Sequence, residues 1–113
     1  MTYGSGDYTY ELDEGWGKLP DGYEFNQAAG VAVDSKDRVY VFNRSSHQLM
    51  VLERDGSFIE SWDENFNNPH GIHIDHDDNV YLADRDAQVV LKYSPQGRLM
   101  LTLGTRDHAS DTG

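Results

Sequence analysis

Gly30-Val31-Ala32-Val33-Asp34 is written again, 41 positions later, as Gly71-Ile72-His73-Ile74-Asp75. The correspondence runs on without a gap. Asp37, Val39, Tyr40 and Val41 fall on Asp78, Val80, Tyr81 and Leu82. Arg44 falls on Arg85, Leu52 on Tyr93, Gly56 on Gly97, Phe58 on Leu99 and Trp62 on Leu103. One supersecondary unit is therefore present twice.

The runs inside each unit read as strands. Val39 and Val41, like Val80 and Leu82, recur at period two. Leu49-Met50-Val51-Leu52 and Val89-Val90-Leu91-Lys92-Tyr93 are too short and too rich in strand formers to be surface helices. Between the runs, Asp34-Ser35-Lys36-Asp37 and Asp75-His76-Asp77-Asp78-Asn79 can bond their own backbone, and Asp and Asn tolerate left-handed conformations. Asp55-Gly56 and Gln96-Gly97 supply the positive φ that a tight hairpin needs. Strands are expected near 30–34, 39–43, 49–54 and 58–62, and again 41 residues on, with essentially no helix. The fold class is all-β. Four short strands per period of 40 to 45 residues is the pattern of β-propeller blades.

The chain divides accordingly into an N-terminal tail, strand and loop (1–29), a first blade (30–69), a second blade (70–104) and a flexible tail (105–113). Met1 to Asp7 is expected to be loose. Tyr8 to Leu12 alternates weakly and is expected to be the outermost strand of a blade whose other strands lie elsewhere. Rings of blades have typically 4 to 8 members, and a ring of six at this period needs roughly 240 residues. A repeat unit buries its faces only against neighbours. Two blades in 113 residues thus belong to a longer protein or complete themselves by association.

Composition narrows the function. Twenty acidic residues against nine basic give a formal net charge of −11, which argues against nucleic acid and anionic membrane surfaces as partners. Without cysteine there is no disulfide framework and no thiol nucleophile. No stretch reads as a signal peptide or spanning helix, so the expected location is the cytoplasm. His70, His73 and His76 are spaced by three. On a strand, residues three apart point to opposite faces, so His70 and His73 cannot share an ion through it. His73 is expected to pack or cap within the sheet, and His76 to be solvated in the turn. No nucleophile motif and no phosphate-cradling glycine loop occurs.

Two segments carry a family resemblance: Val39-Tyr40-Val41-Phe42-Asn43-Arg44-Ser45-Ser46-His47 and Asn68-Pro69-His70-Gly71-Ile72. With the aspartate turns and glycine hairpins, they resemble NHL-repeat six-bladed propellers over Gln27 to Gly104. More narrowly, the chain is similar to the peptidyl-α-hydroxyglycine α-amidating lyase group and its bacterial homologues, of which it matches the N-terminal two blades. The resemblance implies a zinc ion on the propeller axis, held by three histidines from alternate blades, with His70 the first of them. The mate of His70 in the first blade is Ala29, as an every-other-blade pattern requires. It also implies calcium in the channel, bound by the backbone carbonyls of Val31 and Ile72, one residue into the inner strands. Arg44 matches an arginine that engages substrate, and its guanidinium is expected at the same end as His70, facing the channel. An arginine can clamp a carboxylate bidentately. Arg85 is its mate and a further substrate-binding candidate.

The other two zinc histidines, the tyrosine base and the calcium-binding aspartate of the family lie beyond Gly113, and Tyr40 and Tyr81 read as core tyrosines. The implied activity is cleavage of a C-terminal α-hydroxyglycine to a peptide amide and glyoxylate. This chain alone is expected to be inactive. The alternative is a non-catalytic propeller that serves as a binding scaffold for a protein or ligand. The expected partners are a small-molecule or peptide C-terminal substrate and either the remaining blades or further copies of the chain. Three copies would place one His70 on alternate blades of a six-bladed ring.

Overall fold

The computed structural model describes residues 2–5, 8–11, 16–62 and 66–104. Among them there is no helix. Strands β1 (Thr2–Ser5) and β2 (Tyr8–Glu11) pair antiparallel with each other. β3 (Gly30–Val33), β4 (Val39–Phe42), β5 (Leu49–Leu52) and β6 (Phe58–Trp62) make one antiparallel meander. β7 (Pro69–Ile74), β8 (Val80–Asp84), β9 (Val89–Tyr93) and β10 (Leu99–Leu103) make a second.

The first turn of each sheet is built from the same parts. Asp34 Oδ1 accepts the N–H groups of Lys36 and Arg38 at 2.9 and 3.0 Å, and Asp75 Oδ1 those of Asp77 and Asn79 at 3.0 and 2.9 Å. Asp37 and Asp78 take left-handed φ values of 61° and 64°, which aspartate tolerates better than most residues. The other carboxylate oxygen of each turn aspartate accepts a strand tyrosine hydroxyl, Tyr40 at 3.3 Å and Tyr81 at 3.1 Å. Burial pushes the Tyr40 hydroxyl up to about 12, and the Asp34 carboxylate adds to this, so it stays a donor.

The sheets stack in a directional way. Facing residues of β4, β5 and β6 (Tyr40, Phe42, Leu49, Val51, Trp62) meet Val80, Leu82, Leu91 and Tyr93 of the second sheet in one core. Those second-sheet residues are the mates of Val39, Val41, Met50 and Leu52, which lie on the opposite face of the first sheet. One face of the first unit, here called A, therefore packs on the other face, B, of the second. Each large apolar side chain so buried contributes about 1.5–3 kcal/mol. Close approach is tightest between the inner strands β3 and β7: a Cβ on Gly30 would lie 2.9 Å from Ile72 Cγ2. Only glycine lets the strands come this near.

Face B of the first sheet is covered by a strap, residues 16–25. Trp16, Leu19 and Tyr23 pack on the Val41, Met50 and Leu52 cluster. The strap is pinned to the turn between β5 and β6, where Trp16 Nε1 donates to Arg54 O (2.8 Å) and Lys18 N to Gly56 O (2.9 Å).

Ser35 ties the two turns together, its N–H (2.8 Å) and hydroxyl both donating to the Asp78 carboxylate. These bonds hold Asp78 below the usual carboxylate range. A lowered folded value means stability that is present above the ordinary carboxylate pKa of about 3.9 and is lost as pH falls through the folded value. Ser35→Ala is thus expected to lower the urea midpoint at pH 7, and the gap from wild type should narrow as the pH falls below the ordinary carboxylate value of about 3.9 and into strong acid. A gap that is the same at pH 7 and in strong acid would show that the bond does not depend on the charged carboxylate.

Three expectations need correction. Thr2–Ser5 is not loose but is a strand, and Tyr8–Glu11 pairs with it rather than with a blade. Two residues, Gly6 and Asp7, separate these strands, which is hairpin spacing. The third strand of the first unit stops at Leu52, because Glu53 already begins the turn closed by the Gly56 N–H bond to its carbonyl. The tail after Gly104 and Leu12 lie outside the described residues.

Candidate functional site

The site is the end of the molecule where the inner strands begin. Phe42, last in β4, pairs with Gly30, first in β3, so the residues after β4 stand beside the start of β3. The second sheet repeats this, with Asp84 paired to Pro69. Arg44 N donates to Asn26 O (2.8 Å) and Arg85 N to Asn68 O (3.0 Å), fixing each arginine backbone to the segment that leads into an inner strand. Since β3 and β7 run side by side, Arg44, Arg85 and His70 share one end.

A buried polar residue anchors each leading segment. Asp84, 1% exposed, accepts Asn67 N at 2.7 Å, Asn68 N at 2.9 Å and Ala87 N at 3.2 Å. Its mate Asn43 accepts Asn26 N at 3.0 Å and donates to the carbonyls of His47 and Gln48. Buried backbone N–H groups need such partners. Asp84 is therefore the residue that positions the chain two residues ahead of His70. Its role was detectable in the sequence only as a polar pair at matched positions.

His70 is not immediately before the inner strand but within it. The β7–β8 register shifts between Pro69 and Gly71, leaving His70 as the extra, unpaired residue of a bulge, with an exposed side chain. Bulges re-aim a side chain in this way. The earlier strand start makes Ile72 the fourth residue of β7, while Val31 is the second of β3. Both lie on strands with one free edge, where some backbone carbonyls stay unpaired.

Arg44 is exposed and donates to Gln27 Oε1 at 3.4 Å, an amide rather than a surface carboxylate. Arg85 is also exposed. His47 stacks on Tyr23 of the strap with ring centroids 3.7 Å apart and planes 13° from parallel. His73 is exposed instead of packed, its ring 5.8 Å from that of Tyr81, because among the described residues no sheet packs on its face of the second sheet. His76 is exposed in the turn beside Asp77. Tyr40 is buried and Tyr81 half-buried, both as partners of turn aspartates.

Among the described residues no group of three His, Cys, Asp or Glu side chains could hold a metal ion. His70 is thus a single candidate ligand and not one of a set within this chain's described residues. A polar cavity of about 410 Å³, lined by Lys36, Arg38, Glu60, Asp78, Pro95 and Gln96, lies at the turn end of the sheets, away from His70. Comparison with protein-family models and with curated proteins finds no match for this chain.

Proposed function

We propose that the chain supplies two blades of a six-bladed NHL-type propeller that acts as a zinc-dependent lyase on peptidyl-α-hydroxyglycine, releasing a peptide amide and glyoxylate. The observation that carries this reading is the convergence of His70, Arg44 and Arg85 at the leading ends of two adjacent inner strands. An exposed imidazole on a bulge is free to ligate a cation, and two exposed arginines at the same end suit a substrate that ends in a carboxylate. Zinc, when bound, would supply Lewis acidity; neutral histidine with an open coordination position is the ligand type this chemistry uses.

The chain's own residues furnish one of the required ligands, so the others come from blades outside it. Arg44 would hold the glycine carboxylate and orient the C–N bond to be broken. In the reaction the hydroxyl proton leaves, the carbinol carbon becomes the aldehyde of glyoxylate, and the amide nitrogen departs with a proton. The base for the first proton is not among the residues described here. Val31 and Ile72 would lend backbone oxygens to a calcium ion, a hard cation that accepts carbonyl ligands.

In the assembled propeller, His70→Ala is expected to abolish stoichiometric zinc retention and turnover together. Arg44→Ala should raise KM about 10- to 150-fold, the loss of about 1.5–3 kcal/mol from a charge-assisted bond. Zinc analysis and steady-state kinetics with a peptidyl-α-hydroxyglycine check both. Zinc content indifferent to His70 would end the lyase reading and leave a binding scaffold.

A further inference from the structure

The two outer flanks of this double-sheet unit are not alike. On the face-B side, Val31 and Val33 are 59% and 54% exposed, and Phe25 42%. Their mates Ile72, Ile74 and Phe66 are the residues that pack against the core between the two sheets. On the face-A side, Leu101 and Leu103 pair with Lys92 and Val90, so they point away from that core, and they are 48% and 50% exposed. Among the described residues nothing lies within 4 Å of a Cβ placed on Gly71, although its mate Gly30 is where Ile72 seats. The open place at Gly71 is thus matched by an unseated Val31.

We propose that these flanks bind each other between copies of the chain, head to tail, face A of one second sheet on the strapped face B of the next copy's first sheet. Side-chain size identifies the occupant as a second copy rather than another plain blade. Face A of the first sheet is bulky where it meets an unstrapped sheet: Phe42, Leu49 and Trp62. The mates on the open face are trimmed to Ala83, Val90 and Leu103. The face B that would arrive there carries an added layer, the strap residues Trp16, Leu19 and Tyr23. Smaller side chains on one side leave room for the thicker surface on the other. Charge agrees, since Lys92 stands on the open face over the Tyr81 ring and the strap presents the exposed carboxylates Asp21 and Glu24.

An interface between unlike patches is heterologous and closes into a ring when its rotation allows. The number of copies rests on the six-bladed reading above, under which it is three.

Sedimentation of the purified chain, without added metal, tests this. The expected mass is three times 12.8 kDa. Val31→Lys and Leu103→Lys are both at exposed positions, so each should keep the wild-type circular dichroism spectrum, and each should abolish ring closure. Mixed together they retain one intact junction, Leu103 of the first variant against Val31 of the second, and should form one-to-one dimers. Both substitutions reduce the net negative charge, so lost association could not be assigned to acid repulsion. A wild-type mass that stays at one chain up to millimolar concentration overturns the proposal. So does a dimer untouched by Val31→Lys, the result expected if two β10 edges pair symmetrically instead. His70→Ala should sediment as wild type, which separates this test from that of the lyase reading.

Discussion

Phe66→Ala is expected to lower stability by about 3–5 kcal/mol, while Phe25→Ala, at the matched position 41 residues earlier, costs about 1 kcal/mol or less. Phe66 is 4% exposed and meets the Phe42 ring edge-on, with centroids 4.9 Å apart. Its backbone is held too, by Gln48 Oε1 accepting Phe66 N and Gln48 Nε2 donating to Phe66 O, each at 2.9 Å. Truncation leaves a cavity where two sheets and their linker meet, a place that cannot collapse without shifting the whole stack. Phe25 fills the same position in the repeat but is 42% exposed and belongs to neither core cluster of the described residues. Urea denaturation of the two variants checks the contrast in one experiment. Equal losses would contradict the directional stacking on which the description of the core depends.

Asp84→Ala should cost about 3 kcal/mol or more, from leaving buried N–H groups without an acceptor at about 1–3 kcal/mol each. The side chain serves three backbone donors, two of them just ahead of Pro69 and His70. Asp84→Asn is the informative companion. The first sheet already uses asparagine at this position, and Asn43 keeps Asn26 N satisfied through its single oxygen. The asparagine variant should therefore recover more than half of the loss, with its single oxygen satisfying Asn67 N as Asn43 satisfies the matched Asn26 N. Thermal denaturation of both variants gives the comparison. An alanine variant as stable as wild type would show that the leading segment is held by something else.

Strand positions were legible because each rests on local signals that the repeat states twice: β-rich runs, an Asx turn and a glycine hairpin. The β7 start was not, because a bulge depends on how β7 meets β8, and Pro69-His70-Gly71 has no matching triplet in the first unit. The strap was missed for a similar reason. Trp16, Leu19 and Tyr23 belong to no repeated pattern, and only tertiary packing shows that they cover Val41, Met50 and Leu52. The anchoring role of Asn43 and Asp84, at the ends of expected strands, was not legible, since burial that turns a carboxylate into an anchor is a property of the assembled sheets. For the candidate site, the family resemblance singled out His70, Arg44 and Arg85 and set Arg44 at the same end as His70. Their meeting at one end follows from the antiparallel pairing of each inner strand with its neighbour and from the side-by-side run of β3 and β7.

The central claim is that this end of the blades is a metal-dependent lyase site shared around a ring. Zinc titration of the assembled protein by calorimetry tests it most directly. The account predicts one tight site per three chains, and no tight site in His70→Ala. Either one zinc per chain or a wild-type isotherm for His70→Ala would contradict it.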